Sequence, residues 1–536
     1  MIVLAHVPRA RVSMLSAELS ASINSLLNQG IDSWEAHIVV CAQHEAALRG
    51  AIGKSPHIKW HVVNHTSGYR IDIGKLFRKI RTEWLGWMYA GDVVRADFLY
   101  WVLKPILTSD QKIELVTYGE KSDQDAQDKQ NNSYVDDLAP SRLASDLHWE
   151  SGYLDASFIV RKDFALNRLS RYPMKSIATL NIVRTFANRM VMPLVNRRRA
   201  LVSHVRQILL ERKDASHIRR RLQDSAQSKI ELMQDLGRLL KTIDPGVRIS
   251  ISNEQKAWLQ IEWPLGHQTP PTYILIPTRD RLDVLKPCIR SLFHHTDYPN
   301  YQVIVIDNGS VEPETRRYLK DLPKHAAKNN IVLSVLRDDS AFNFSALNNK
   351  AVRYIRHGVF VFLNNDIEIV DAHWLKKMVS HAIRSDVGCV GAKLLYPDGT
   401  IQHLGVTLGA THIASHLYST EDPKNWSLNN PLLTCTSNPI AVTAAAMVIR
   451  AELFHQLGGF NDDQLPVAYN DVDLCLRVEE MGYRTVCIPR ATLIHHESMS
   501  RKLTKLSQLK RERQESRWMR KRWSSQLALY PGNQSL

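Results

Sequence analysis

Short apolar runs that close on polar clusters set the rhythm of the second half of the chain. YILIPT (273–278), YQVIVIDNGS (301–310) and VFVFLNND (359–366) are rich in β-branched residues and apolar along most of their length. Each ends in polar residues: Thr278-Arg279-Asp280, Asp307-Asn308-Gly309 and Asn364-Asn365-Asp366. Runs without polar alternation fit strands of a mostly parallel sheet covered on both faces. A helical segment separates the first two, and strand–helix–strand repetition predicts a doubly wound α/β domain over 270–505. Ligands of such sheets bind beyond the carboxyl ends of the strands, where the three polar clusters fall.

The first half is less regular. HIVVCA (37–42) reads as a strand after the helical segment ASINSLLNQG, and FIVR (158–161) as another. Residues 121–142 are polar and read as a surface loop. Between 171 and 246 the pattern turns charged and 3.6-periodic, notably in VRQILLERK and ELMQDLGRLLKTI. That predicts a helical linker, stopped by Asp244-Pro245-Gly246.

Composition narrows the classes. A length of 536 residues fits two or three domains. With 44% hydrophobic and 23% charged residues the chain has an ordinary globular balance. The six cysteines form no Cys-x-x-Cys pair, which favours buried thiols in a reducing compartment over a disulfide frame or a zinc site. MIVLAHVPRARVSM lacks the long apolar core of a leader, and no apolar run reaches 18 residues, so a cytoplasmic protein without a spanning helix is expected. The net charge of +15 suits anionic partners. Its basic runs at 197–199, 219–221 and 501–522 carry no zinc-finger spacing or RNA-binding aromatic signature, so nucleic acid is not an expected partner.

An ordered set of motifs then becomes specific: ILIPTRDRLDVLKPCIRSL, YQVIVIDNGS, FNFSALNNKAV, FLNNDIEIV, VGAKLLYPDGTIQHLGV, VAYNDVDLCLRVEEMGY and LIHHESMSR. Together they closely resemble bacterial family 2 glycosyltransferases, enzymes of the GT-A fold often devoted to O-antigen and other surface polysaccharides. The resemblance implies a Rossmann-like, mostly parallel α/β catalytic domain. It implies inverting transfer from a UDP- or dTDP-sugar to a glycan acceptor, lipid-linked in many such systems. A divalent metal, Mg²⁺ or Mn²⁺, would stabilise the departing diphosphate.

Residue by residue, Asp366 matches the last position of the family's Asp-x-Asp metal motif. Asn364 replaces the first aspartate and is assigned, with Asn365, to the donor. His495 in LIHHES matches a metal-site histidine, with Glu497, Ser498 and Arg501 just beyond. Asp307 resembles the carboxylate that accepts the N–H of a pyrimidine base, and Pro277, Thr278 and Arg279 match the first nucleotide-lining loop. Asn343 lies in a donor-side segment where Ala346 stands in place of the usual arginine. Asp471 matches the general base, with Asn470 replacing a glutamate; a positioned carboxylate of this kind contributes about 10²–10⁴-fold. Asp473 reads as a first-turn helix acid, Gly458-Gly459 as the turn delivering this loop, and Asp280 as a cap of the following helix. His403 and His416 belong either to the sugar pockets or to packing.

The N-terminal segments SLLNQGIDSWEAHIVVCA, WLGWMYAGDVVRADFLYWV and GYLDASFIVRKDF resemble parts of the same domain. Residues 1–170 are therefore read as a degenerate GT-A-like domain, with Gly91-Asp92 at the metal motif and no base loop. Two other classes fit parts of the pattern. A nucleotidyltransferase would show a Gly-rich, Lys-bearing phosphate loop, which the first strand lacks. A non-catalytic nucleotide-sugar or carbohydrate-binding module would explain Asn364 and Asn470, yet Asp366 and Asp471 are both retained. The basic tail 506–536, with the preceding residues from 501, reads either as a peripheral contact with an anionic membrane, aided by Leu503, Leu506, Trp518 and Trp523, or as a helix packed on the catalytic domain.

Overall fold

The computed structural model describes the chain apart from residues 6–11, 64–69, 123–143, 155, 175–176, 179–180, 193–201, 213–225, 253–257, 267–268, 410–411, 424–430, 497–505 and 529–536. It divides into two compact units, one mainly Met1–Leu194 with Arg198–Pro245, the other mainly Gln260–Leu536.

The apolar runs of the second unit form its central strands: β1 (Thr272–Thr278), β2 (Tyr301–Asp307), β3 (Val332–Arg337) and β4 (Val359–Leu363). These four pair in parallel in the order β3-β2-β1-β4. Four more strands continue the sheet: β5 (Ile367–Ile369), β6 (Val387–Leu395), β10 (Ala446–Arg450) and β11 (Arg484–His495). Between β6 and β10 lie the short β7 (Ile401–His403), β8 (Val406–Leu408) and β9 (Ala414–His416). The full order is β3-β2-β1-β4-β10-β6-β11-β5, with β7 beside β6. β10 runs antiparallel to both neighbours, β6 and β11 are parallel, and β5 is antiparallel to β11.

Helices α1 (Leu282–His295), α2 (Pro313–Lys328), α3 (Phe344–Val352), α4 (Trp374–Ala382) and α5 (Asn470–Glu480) connect the strands. The core joins Ile274, Val305 and Val361 to Leu285, Leu319 and Trp374. Burial of both strand faces accounts for the absence of polar alternation in the sequence.

The first unit repeats this layout. Its sheet runs Ile58–Val63, Ala36–Cys41, Ile2–Ala5, Trp84–Tyr89, Phe158–Arg161, Leu115–Ser122, Val202–Arg212, Val93–Val94. Numbered by position in the chain, and with the short loop strands set aside, this is the same order as in the second unit. The sense of every neighbouring pair also agrees: parallel for the first four strands, antiparallel on both sides of Phe158–Arg161, then parallel, then antiparallel.

VRQILLERK, expected as helix, lies in the strand Val202–Arg212, while Ala226–Leu240 is the helix expected. Its apolar residues suit either period over so short a run. The backbone of Leu115–Ser122 decides, pairing with it through two register shifts and burying Leu209 and Leu210. The polar stretch 123–142 and the basic runs 197–199 and 219–221 lie outside the described residues.

The basic tail is helix α6 (Leu506–Arg522). Met519 and Trp523 are fully buried, so Trp523 belongs to the packed face and not to a membrane interface. The opposite face keeps Lys510, Arg513, Arg517, Arg520 and Lys521 exposed.

Candidate active site

The end of β4 turns sharply at Asn364-Asn365-Asp366 before β5 leaves in another direction. The pairing of β5 with β11 places His495 opposite Ile367, which brings the His495 Nε2 to 3.0 Å from the Asp366 Oδ1. Both side chains are buried.

Two neighbours define the imidazole. Its Nδ1 lies 2.6 Å from the Gln402 Oε1, an acceptor, so Nδ1 carries the proton. The Asn364 Nδ2 donates toward Nε2 at 3.3 Å. A lone pair on Nε2 therefore faces a carboxylate oxygen that is buried and has no hydrogen-bond donor of its own. A second proton on the imidazole or a divalent cation relieves this opposition. The separation of 3.0 Å is also that of two ligands at a right angle around an ion with bonds of about 2.1 Å, and ligating histidines typically donate their other N–H to a fixed acceptor as His495 does. The residues thus fit a small hard cation. Among the described residues no third carboxylate, imidazole or thiolate completes a cluster, and Glu497, Ser498 and Arg501 lie outside them. Burial pushes the Asp366 carboxyl up, but with a second proton on the imidazole the hydrogen bond from His495, then its charge, outweigh burial and hold the group below the ordinary 3.8.

His495 and Asn364 open onto a cavity of about 300 Å³, also lined by Gln402, His416, Tyr469 and Asp471. Val406, Ala445 and Val467 supply apolar wall. Asp471 arrives on the first turn of α5. Its Oδ2 accepts a hydrogen bond from the Ala444 N–H at 3.0 Å and its Oδ1 one from the Val472 N–H at 2.8 Å. The turn before this loop uses Gly458 and Gly459 at φ 80° and 75°, a conformation that favours glycine. Arg477 fastens it, donating to the carbonyls of Leu457 and Gly459.

Asp473 is wholly buried away from the cavity. It accepts from the Arg477 Nε at 2.8 Å and the Trp523 Nε1 at 3.0 Å. His403 is buried as well. The Thr443 N–H points at its Nε2, so its Nδ1 donates to the His416 Nδ1 at 2.8 Å and the proton of His416 rests on Nε2. Burial and the neighbouring histidines keep His403 far below the ordinary histidine value, hence neutral.

A second group surrounds the ends of β1 and β2 and does not line the cavity. Asn365 donates to the Thr278 hydroxyl at 3.0 Å, which ties the turn after β4 to β1. The Asp307 Oδ1 accepts from the Ser310 N–H and its Oδ2 from Arg337, each at 2.8 Å. Pro277 is partly buried in β1 and Arg279 is exposed. Asn343 caps α3 by accepting from the Ala346 N–H and donates to the Asp462 carbonyl, both at 2.8 Å. Asp280 does not cap the next helix. With φ at 51° its carboxylate turns to the N–H groups of Val311 and Glu312, at the entry to α2.

Sequence reading missed Gln402, Arg337 and the backbone donor at Ala444. Gln402 stood in a quoted motif, yet only the fold shows that it faces His495. Arg337 is the register partner of Asp307 across β2 and β3, so a basic residue closing the third strand was its one available signal.

Residues 273–451 match the family described as Glycosyl transferase family 2. They form a family 2 glycosyltransferase domain. The matched range runs from β1 through β10 and includes Asp307 and Asp366, but stops before Asp471 and His495. Over 267 residues the chain is 42% identical to the uncharacterized protein y4gI of Sinorhizobium fredii, covering 49% of this chain and 28% of that protein. Over 241 residues the identity to the O-antigen biosynthesis protein RfbC of Myxococcus xanthus is 40%, covering 44% of this chain and 18% of that one. The chain therefore spans less than a third of either relative. An N-acetylglucosaminyl-diphospho-decaprenol L-rhamnosyltransferase of Mycobacterium tuberculosis is 25% identical over 119 residues, 21% of this chain and 38% of its own. The crystal structure of GalNAc-T7 with UDP, GalNAc and Mn²⁺ overlays 46% of each chain at 13% identity and a TM-score of 0.36, a likeness too slight to argue from. The sheet of the family 2 domain is the mostly parallel α/β arrangement of the GT-A kind.

Proposed function

We propose that the second unit is an inverting glycosyltransferase that moves a sugar from a UDP- or dTDP-sugar to a hydroxyl of a glycan acceptor. The acceptor is a lipid-linked glycan of an O-antigen-like surface polysaccharide, met at the cytoplasmic face of the membrane. The observation that carries the reading is one cavity lined by both Asp471 and His495, with Asp366 directly behind the imidazole. The family 2 match and the RfbC relative support the same class of chemistry.

Asp366 and His495 would hold Mg²⁺ or Mn²⁺, which when bound neutralises the charge that develops on the leaving diphosphate. Asp471 accepts the proton of the acceptor hydroxyl as that oxygen forms its bond to the anomeric carbon. The bond from that carbon to the diphosphate oxygen breaks, and its electrons leave with the nucleoside diphosphate. A single displacement inverts the anomeric centre. The Ala444 N–H fixes one Asp471 oxygen, so the carboxylate meets the hydroxyl in a set orientation. Thr278, Arg279, Asn365 and Asp307 take the nucleotide, with Arg337 holding the Asp307 carboxylate for the N–H of uracil or thymine.

No helix among the described residues is long and apolar enough to cross a membrane. The exposed basic face of α6 supplies the contact with an anionic leaflet, at about 1 kcal/mol per residue near the surface. The reading is tested by calorimetric titration of UDP and dTDP into the protein with and without Mn²⁺. One of the two nucleotides binds, and more tightly with metal; absence of binding by both removes the proposal.

A further inference from the structure

Glu515 on α6 is a carboxylate with 1% of its surface exposed. Its Oε1 accepts hydrogen bonds from two consecutive backbone groups, the Val467 N–H at 2.8 Å and the Ala468 N–H at 3.1 Å. Both residues line the cavity, as does Tyr469, which follows them. Tyr469 opens α5 in the left-handed conformation, φ 59° and ψ 6°, which a side chain other than glycine's adopts at a cost. Such a residue persists where its surroundings over-determine it. Glu515 holds the two peptides before it, and the Ser516 hydroxyl lies 3.5 Å from the Tyr469 hydroxyl. Farther along, the Trp523 Nε1 donates to Asp473, on the same turn of α5 as Asp471. One face of the C-terminal helix thus grips the loop on both sides of the proposed base.

The choice of a carboxylate needs a reason. Burying one is costly unless it is well hydrogen-bonded, and an apolar side chain of similar volume often fills such a site at no loss of stability. What only an acceptor supplies is a fixed position for two adjacent N–H groups. The other oxygen, Oε2, has no hydrogen-bond partner and lies 3.9 Å from the Arg511 Nε, so stability alone is a poor account of Glu515. We infer that Glu515 is a positioning residue: it sets the loop of residues 467–469 and thereby directs the Asp471 carboxylate into the cavity. The inference rests on the reading of Asp471 as the base.

Two readouts on the full chain separate the claims. One is hydrogen exchange at the amides of 467–469. The other is release of nucleoside diphosphate from a mixture of UDP- and dTDP-hexoses, resolved into kcat and KM. Glu515→Leu is expected to speed exchange at those amides and to lower kcat by about 10²-fold, the scale of a misplaced catalytic group, with KM unchanged. Glu515→Gln keeps an acceptor oxygen and should restore both slow exchange and turnover. Glu515→Ser, too short to reach the loop, reads the same quantities if the leucine variant does not fold. Unchanged exchange in the leucine or serine variant overturns the inference whatever Asp471→Asn shows. Faster exchange with wild-type kcat, or equal loss of kcat in the leucine and glutamine variants, also overturns it; an inactive Asp471→Asn in the same assay then leaves the base reading standing. Wild-type turnover in Asp471→Asn removes the base reading itself, and the positioning role with it.

Discussion

At the scale of single residues, the Asp366–His495 pair is poised for positive charge. An imidazole lone pair and a buried carboxylate oxygen 3.0 Å apart repel each other unless a cation or proton lies between them. Asp366→Ala and His495→Ala should each abolish the gain in UDP or dTDP affinity that Mn²⁺ gives the wild type, as read by titration calorimetry. If the metal makes no difference to the wild type, the assignment of both residues is wrong. Gln402 fixes which nitrogen faces Asp366. Gln402→Leu should therefore weaken Mn²⁺ binding by about 10–100-fold, the usual effect of losing such an outer partner, while leaving metal-free nucleotide affinity alone. Asp366, His495 and Asp471 could be named as candidates from the sequence because each sat in a motif of its own. Gln402 could not, since its bond to His495 spans 93 residues of chain and depends on how β7 and β11 lie against β6.

At the scale of elements, the C-terminal helix departs furthest from what its composition suggests. Its charge advertises a solvated or membrane-bound segment, yet Met519, Trp523 and Glu515 make it part of the site's support. Trp523→Ala should cost about 3–5 kcal/mol of stability, measured by chemical denaturation. A change within the error of the measurement would mean that this face is not packed in solution. Burial raises the Glu515 carboxyl above its ordinary 4.5, against the lowering effect of its two backbone donors and Arg511, with Glu512 adding to the rise. The sign follows from linkage. A carboxyl whose folded value exceeds its unfolded one contributes its full stability below 4.5 and loses it as the pH rises through the folded value. Glu515→Gln should flatten that part of the stability curve, so its melting temperature gains on the wild type between the two values; a parallel decline in both proteins would contradict the prediction. The central strands were legible because both faces are buried and the apolar run is unbroken. Val202–Arg212 was not, because its period is ambiguous and a strand more than 80 residues earlier, Leu115–Ser122, settles it.

At the scale of the whole molecule, two units share one sheet order, so positions in one can be matched to positions in the other. Asp366 immediately precedes β5, whose first residue pairs with His495; Asp92 immediately precedes Val93–Val94, whose first residue pairs with Glu211. The positions equivalent to Asp366 and His495 thus hold Asp92 and Glu211 in the first unit. By chain order the helix equivalent to α5 is Ile182–Met190, and its first turn carries no acid where α5 carries Asp471 and Asp473. On the proposed reading of Asp471, the first unit therefore has no acid at the base position, and Asp92 is engaged locally by the Tyr89 N–H. Asp92→Asn should accordingly leave turnover unchanged, and a loss comparable to that of Asp471→Asn would give the first unit a catalytic share. Replacing Lys510, Arg513, Arg517, Arg520 and Lys521 with glutamine should reduce co-sedimentation with anionic liposomes, as high salt should for the wild type; binding indifferent to both excludes the electrostatic contact. The central claim is that one cavity carries out the transfer with Asp471 as its base. It is tested most directly by following nucleoside diphosphate release from UDP- and dTDP-hexoses by the wild type and by Asp471→Asn, with nucleotide affinity measured on both. The account predicts equal affinity and a rate lower by about 10²-fold or more in the variant; equal rates would contradict it.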